Sequence, residues 1–393
     1  MAYPTEALVV SAVGNEPQFG PVILDTIRDD ELLVEIHATG ICHTDIACIE
    51  GKLPAEFPCV LGHEGAGVVL RPGKGVKDVN VGDKVILSYN FCTDCHQCLS
   101  GQPAYCVNLI AQNFGGKRLD ESRTIRLPNG ETEVFANFFG QSSFCRVALV
   151  NRASVARVAA DTPLDIFAPL GCGVQTGAGA VLNTLNVREG TSVAVFGVGA
   201  VGLSAIMAAR LRGASIIIAV DLENSRLEMA RELGATHTLL GGSEKVLQQI
   251  REICAPSNGV EFAVDCSGAT QVIEIMLDSL ATRGRAASVG APAPGKRAGV
   301  DVFSHLTLGR EYVGCHQGSS VAEKMIPYLI EQNKQGKFPV QKLITYYPVE
   351  HYQQAFHDLK VGRAIKAVLL WKESVSNNRV LPTDRHSTGN LTL

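Results

Sequence analysis

Residues 92–106 place Cys92, Cys95, Cys98 and Cys106 in a C-x2-C-x2-C-x7-C run. Four thiolates this close in a loop punctuated by Gly and Pro can saturate a tetrahedral zinc ion. No coordination position then stays open, so such a metal is structural. An iron–sulfur cluster uses the same residue type at short spacings, but the run lacks a ferredoxin-type companion pattern, which favours zinc. His96, inside the run, is surplus once four sulfurs serve and reads as a solvated loop histidine.

A second concentration of reactive side chains lies in GICHTDIAC, residues 40–48. Cys42, His43 and Cys48 could each ligate a metal, yet nothing in the stretch itself says which do. A third motif, GVGAVG at residues 197–202, is a G-x-G-x-x-G. It follows an apolar strand-like run, opens a helical pattern and is trailed by Asp221 at the end of the next strand-like run. That whole context is the dinucleotide-binding fingerprint. Gly197 permits a tight turn, Gly199 lets the backbone approach a pyrophosphate, and Gly202 lets helix and strand pack closely. The helix N-terminus offers N–H groups to phosphate. Asp221 would accept hydrogen bonds from ribose hydroxyls and repel a 2′-phosphate, which favours NAD over NADP. Arg226, five residues on, softens that preference and leaves NADP open as the lesser option.

These motifs need a scaffold, and the rest of the chain supplies two textures. Over residues 7–90, short β-type runs such as ELLVEIHA and DKVILS alternate with Gly and Pro. They predict a sandwich or barrel. Residues 91–145 are irregular, with Asn129-Gly130 as a hairpin signal. From about 176 to 310, apolar strands such as TSVAVFG and SIIIAVD alternate with helical patterns. That alternation predicts right-handed βαβ units on a parallel sheet, an α/β domain of doubly wound type. After about 315 the texture is mixed again, with AIKAVLLW (364–371) as a last strand. The tail 372–393 is polar and reads as disordered.

Bulk properties exclude several classes. With 393 residues, 46% of them hydrophobic and 19% charged, the chain is expected to be globular with two domains. A net charge of −4 gives no case for nucleic acid or an anionic membrane. No apolar run reaches the ~18 residues of a membrane span. The 12 cysteines, four of them crowded at 92–106, in a chain without a visible signal peptide, predict reduced thiols in the cytoplasm.

GICHTD, GHEGAGVV, the four-cysteine run, LGCGVQTGAGAV and GVGAVG, in this order, resemble the zinc-dependent medium-chain alcohol dehydrogenases over residues ~5–371. FFGQSSF and PLGCGVQTGAGAVLN look most like the aryl-alcohol or benzyl-alcohol branch. The resemblance implies a GroES-like β-rich catalytic domain (1–174, with a structural zinc lobe at 91–107, and 316–371) and a Rossmann coenzyme domain (175–315). It implies a catalytic zinc on Cys42, His63 and Cys172, with Glu64 behind the metal as an occasional ligand. Two thiolates and an imidazole with one open position agree with catalytic zinc chemistry. Thr44 matches the hydroxyl that takes the alcohol proton, and Asp45 the carboxylate that orients His63. His43 and Lys366 match basic residues at the coenzyme pyrophosphate, and Thr176 and Val201 flank the nicotinamide.

Ala47 stands where many members carry a histidine ending a proton relay. The relay is then expected to end through a ribose hydroxyl to water, or at His43. The substrate pocket is expected from Ser88, Tyr89, 109–116, 138–144 and Ala291. A small Ser88 would leave room for an aromatic or branched primary alcohol. Phe138, Phe139 and Phe144 would be pocket wall or core. Cys48, Cys59, Cys145, Cys254, Cys266 and Cys315 read as packing thiols. The implied activity is reversible hydride transfer between a primary aromatic or allylic alcohol and NAD, in a homodimer or homotetramer. The alternatives are another alcohol class, aliphatic or a secondary-metabolite intermediate, or a non-catalytic dinucleotide-binding protein. Retention of Cys42, His63, Cys172 and Thr44 weighs against the last.

Overall fold

A computed structural model describes residues 3–372. The polar tail expected over 372–393 therefore lies, Lys372 excepted, outside the described residues. Two antiparallel-rich sheets and one parallel sheet make up the architecture.

Strand Glu31–Gly40 is the spine of the first body. It pairs antiparallel with Gly65–Pro72, with Val147–Asn151 at its start and with Lys366–Leu370 at its end. Lys84–Leu87 and Val155–Val158 extend the sheet on one side, and Ile344–Pro348 on the other. A five-stranded sheet runs Cys59–Val60, Tyr3–Val10, Gln18–Leu24, Ile125–Arg126, Glu133–Val134. Side chains from both sheets, among them Leu8, Leu24, Ile36, Val85 and Leu149, form one buried cluster that also takes in Phe144. The last two strands are joined by the expected hairpin. Asn129 Oδ1 accepts the Glu131 and Thr132 N–H groups, and Gly130 takes φ +79°. Arg118, 6% exposed, fastens this excursion to the spine: its Nε and Nη2 donate to Glu31 at 2.6 and 2.9 Å, and Nη1 to Asp25 at 2.6 Å.

The parallel sheet runs His237–Leu240, Ile216–Asp221, Ser192–Phe196, Val260–Asp265, Leu280–Ser288, Glu311–Gly314, a 3-2-1-4-5-6 order. Its strands read as continuous apolar runs because both faces are covered. In the central strand, Val193 and Val195 enter one buried cluster with helix Ala200–Leu211, while Ala194 and Phe196 enter another with helices Val246–Ile253 and Thr270–Asp278. Period-two alternation thus serves two cores at once. The chain then leaves this sheet through helix Ala322–Lys334 and returns to the spine with Ile344–Pro348 and Lys366–Leu370.

Candidate functional site

The four cysteines of the loop converge. Sγ separations are 3.4 Å for Cys92–Cys106, 3.5 Å for Cys95–Cys98, 3.9 Å for Cys92–Cys98 and 4.0 Å for Cys95–Cys106. A tetrahedral ion with sulfurs at ~2.3 Å has edges of about 3.8 Å. A disulfide would need ~2.05 Å. The geometry therefore fits a closed tetrahedral metal site. His96 is exposed and outside the cluster.

Cys42, His63, Glu64 and Cys172 form a second group, with one ligand atom from each within 4.8 Å of the others. Their positions follow from local structure. The spine strand ends at Gly40, and Cys42 caps the helix His43–Ile49. Asp45, fully buried, reaches back: Oδ2 accepts the Cys42 N–H at 2.9 Å, and Oδ1 accepts the Gly62 N–H and the His63 Nδ1–H, each at 3.0 Å. One carboxylate thus fixes two members of the group. It also fixes the His63 tautomer, since the proton faces Asp45 and the Nε2 lone pair is left for a metal. His63 Nε2 is buried without a hydrogen-bond partner, as suits a nitrogen that ligates a metal. Phe139 stacks on the His63 ring at 4.5 Å, and Phe138 meets it edge-on at 5.4 Å.

Glu64 is in the group but engaged. Both its oxygens lie 2.9 Å from Lys366 Nζ, and Oε1 accepts the Gly173 N–H at 3.4 Å. Gly40 makes room for it, because a Cβ there would stand 2.1 Å from Glu64 Oε2. Lys366 is 4% exposed. Burial acts to lower its pKa, but the facing Glu64 carboxylate more than offsets this and holds the ammonium charged. Lys366 thus points at the metal group, where a pyrophosphate contact was expected. With Glu64 engaged, Cys42, His63 and Cys172 are the donors that could hold an ion. Thr44 Oγ1 lies 3.6 Å from Cys42 Sγ, beside that centre.

The glycine loop is built as the fingerprint demands. Gly197 has φ +84°, and a Cβ on Gly202 would lie 2.0 Å from Gly197 O. A Cβ on Gly199 would meet nothing within 4 Å, so its backbone borders open space at the N-terminus of helix Ala200–Leu211. Asp221 Oδ2 accepts the Val198 N–H at 2.7 Å, tying the second strand to the loop. Arg226 Nη1 stands 3.9 Å from Asp221 Oδ1. Thr176 and Val201 are brought together, since helix Gly173–Gly179 packs on helix Ala200–Leu211 so closely that a Cβ on Gly177 would lie 1.9 Å from Val201 O. Cys172 directly precedes the first of these helices, which joins the metal group to the dinucleotide loop. His43 is exposed at the start of its short helix.

The expected pocket wall is rearranged. Ser88 is fully buried, its Oγ donating to Gly171 O at 2.6 Å, and Tyr89 is 1% exposed with its hydroxyl donating to Ser320 O at 2.5 Å. Neither presents a surface to a substrate, because both are consumed by contacts that join distant loops. Phe138 and Phe139 lie in the core behind His63, and Phe144 in the core against Phe356. In 109–116, Asn113 is buried and bonded to Asn90, and Phe114 packs edge-on against Phe138 and Phe139. Ala291 is exposed. Burial raises the pKa of all six remaining cysteines, Cys59 and Cys145 to about 12, so they stay neutral thiols.

Three glutamines were missed. Gln141 Nε2 donates to His63 O and Ser88 O, Gln175 Nε2 to Ser88 Oγ and Gly171 O, and Gln317 Nε2 to Cys172 Sγ at 3.7 Å. The available signal for Gln317 was its place after the C-terminal end of a parallel strand, where sites of such sheets gather.

Residues 28–158 match the alcohol dehydrogenase GroES-like domain, and residues 200–332 the zinc-binding dehydrogenase family. Geraniol dehydrogenase of Castellaniella defragrans is 36% identical over 93% of this chain and 97% of its own. Among solved structures, an alcohol dehydrogenase zinc-binding domain protein from Burkholderia ambifaria is 42% identical over 95% of this chain and all of its own, with a TM-score of 0.92. Benzyl alcohol dehydrogenase from Acinetobacter calcoaceticus is 38% identical over 94% and 99%, with a TM-score of 0.90. The two cysteine centres, the glycine loop and near-full-length likeness lead to one conclusion: the chain belongs to the zinc-binding medium-chain alcohol dehydrogenases and is an oxidoreductase of alcohols and aldehydes.

Proposed function

We propose that the protein moves hydride reversibly between a primary aromatic or allylic alcohol and NAD, with zinc at both centres. The observation that carries this proposal is the buried, unpartnered His63 Nε2 converging with Cys42 and Cys172 beside the glycine loop. Zinc held by these three residues would supply a Lewis acid that lowers the pKa of an alcohol oxygen. Around it, Asp45 holds the His63 ring, and the Glu64 carboxylate beside the centre is paired with Lys366. The Thr44 hydroxyl takes the alcohol proton. The N-terminus of Ala200–Leu211 would face the pyrophosphate, and Asp221 would favour an unphosphorylated ribose. The aromatic or allylic class is supported by the names of the benzyl alcohol and geraniol relatives.

Two further parts concern setting. Strand Glu311–Gly314 pairs on one side only, and the adjoining helix exposes Val302, Phe303 and Leu306 at 73–75%. A second copy would cover this face, giving a homodimer or a tetramer built from it. All 12 cysteines are free and no described helix is long and apolar enough to cross a membrane, which accords with a reducing cytoplasm. The test is a panel of aromatic, allylic and aliphatic alcohols with NAD and NADP, followed by reduced-cofactor absorbance. Benzylic or allylic alcohols should show the highest kcat/KM with NAD. A flat profile, or no cofactor reduction by any of them, rejects the assignment.

A further inference from the structure

We infer that Gln317 is a positioning residue that tunes the Cys172 thiolate through an N–H···S hydrogen bond, and that Ser88 and Gln175 exist in this fold to aim it. The inference rests on the proposed metal centre at Cys42, His63 and Cys172.

The contacts form one buried ladder. Ser88 Oγ donates to Gly171 O at 2.6 Å and accepts from Gln175 Nε2 at 2.6 Å. Gln175 Nε2 also lies 2.7 Å from Gly171 O, a group that can only accept, so the nitrogen end of that amide is assigned by chemistry. The same nitrogen lies 3.3 Å from Gln317 Oε1. With its oxygen turned to Gln175, the Gln317 amide must turn its N–H groups to Cys172 Sγ, 3.7 Å away. Ser88, Gln175 and Gln317 are at most 5% exposed, so no water competes for these bonds.

The backbone is bent to deliver Gln317. Gln317, Gly318 and Ser319 have φ of +49°, +66° and +47°, and two of the three pay the steric cost of a left-handed conformation with a Cβ. Such strain persists only where the surroundings over-determine it. Here Asn183 Nδ2 donates to Gly318 O at 3.0 Å, Tyr105 and Ser319 hydroxyls meet at 2.7 Å, and Tyr89 holds Ser320 O. Three segments distant in sequence thus fix one turn whose inward product is the Gln317 amide.

An amide N–H on a metal-bound thiolate draws charge from the sulfur, so the sulfur donates less to the metal and the metal polarises a bound oxygen more. Small size at position 88 therefore serves the amide ladder, since a bulkier side chain would take the place of the Gln175 amide.

The test is cobalt(II) substitution of the full chain, comparing wild type with Gln317→Met, which keeps length and removes the donor. The thiolate-to-cobalt charge-transfer absorption should move to longer wavelength in the variant. In the zinc enzyme, kcat should fall by about tenfold while KM for NAD holds. The four-cysteine centre contributes equally to both spectra and cancels in their difference. Should Gln317→Met fail to fold, Gln317→Leu, which also removes the donor without adding a polar group, serves with the same direction expected. Gln175→Met, which leaves the Gln317 amide unaimed, should give a smaller shift of the same sign. A band that stays in place, even with activity reduced, overturns the inference and leaves a packing role. Uptake of only about one cobalt per wild-type chain would instead overturn the centre itself, and the inference with it.

Discussion

The two cysteine centres solve the same problem in opposite ways. The four-cysteine centre draws all its sulfurs from residues 92–106, and its lobe has almost no apolar interior: Pro103 and Ala104 are buried, while Leu99 and Val107 are 75% and 70% exposed. The Cys42–His63–Cys172 centre gathers donors from three distant segments into a wall of packed aromatic rings and a fully buried carboxylate. In the first, a bound metal would have to stand in for a core. In the second, the core exists already and a metal would add only chemistry. The difference teaches that ligand spacing along the chain reports what a metal is for.

That contrast can be broken by experiment. Cys172→Ser should lower kcat/KM by at least about a thousandfold, with circular dichroism unchanged and bound zinc reduced from about two to about one per chain. Large unfolding in this variant would erase the distinction drawn between the centres. Cys98→Ser should do the reverse. We expect the melting temperature to fall by roughly 10 °C and the 91–107 segment to become protease-sensitive, because a structural zinc site contributes folding free energy outright. Activity per folded molecule should remain within a few-fold; a loss matching Cys172→Ser would make the lobe part of the chemistry. Asp45→Asn sharpens the comparison at smaller amplitude. It keeps the shape but weakens the hold on His63 Nδ1, and should cost 10- to 100-fold in activity or zinc affinity. An effect on melting temperature alone would reduce Asp45 to a helix cap for Cys42.

Much of this was legible in the sequence where the physics is local. The four-cysteine site needs only spacing. The glycine loop needs only a strand, a turn and a helix in succession, and the structure forms that turn with Gly197 and Gly202 in close contact and Asp221 accepting the Val198 N–H. The partnership of Cys42, His63 and Cys172 came from family resemblance, since no spacing rule links segments so far apart. Lys366 shows the limit: a basic residue in GRAIKAVL carries no mark of the carboxylate it will face, and its ammonium ends on Glu64. Ser88 shows another. Its small size suggested empty space, but the space is occupied by amides from Gln175 and, beyond it, Gln317.

By itself, then, the sequence determined the classes of element and the two local sites, because periodicity, turn chemistry and short ligand spacings act within a few residues. Tertiary structure alone decided that Lys366–Leu370 completes the sheet begun by Glu31–Gly40, and that Gln317 arrives beside Cys172. Those contacts are chosen by which buried surfaces and hydrogen-bonding groups can all be satisfied together, a condition on the whole fold that no single stretch of chain contains.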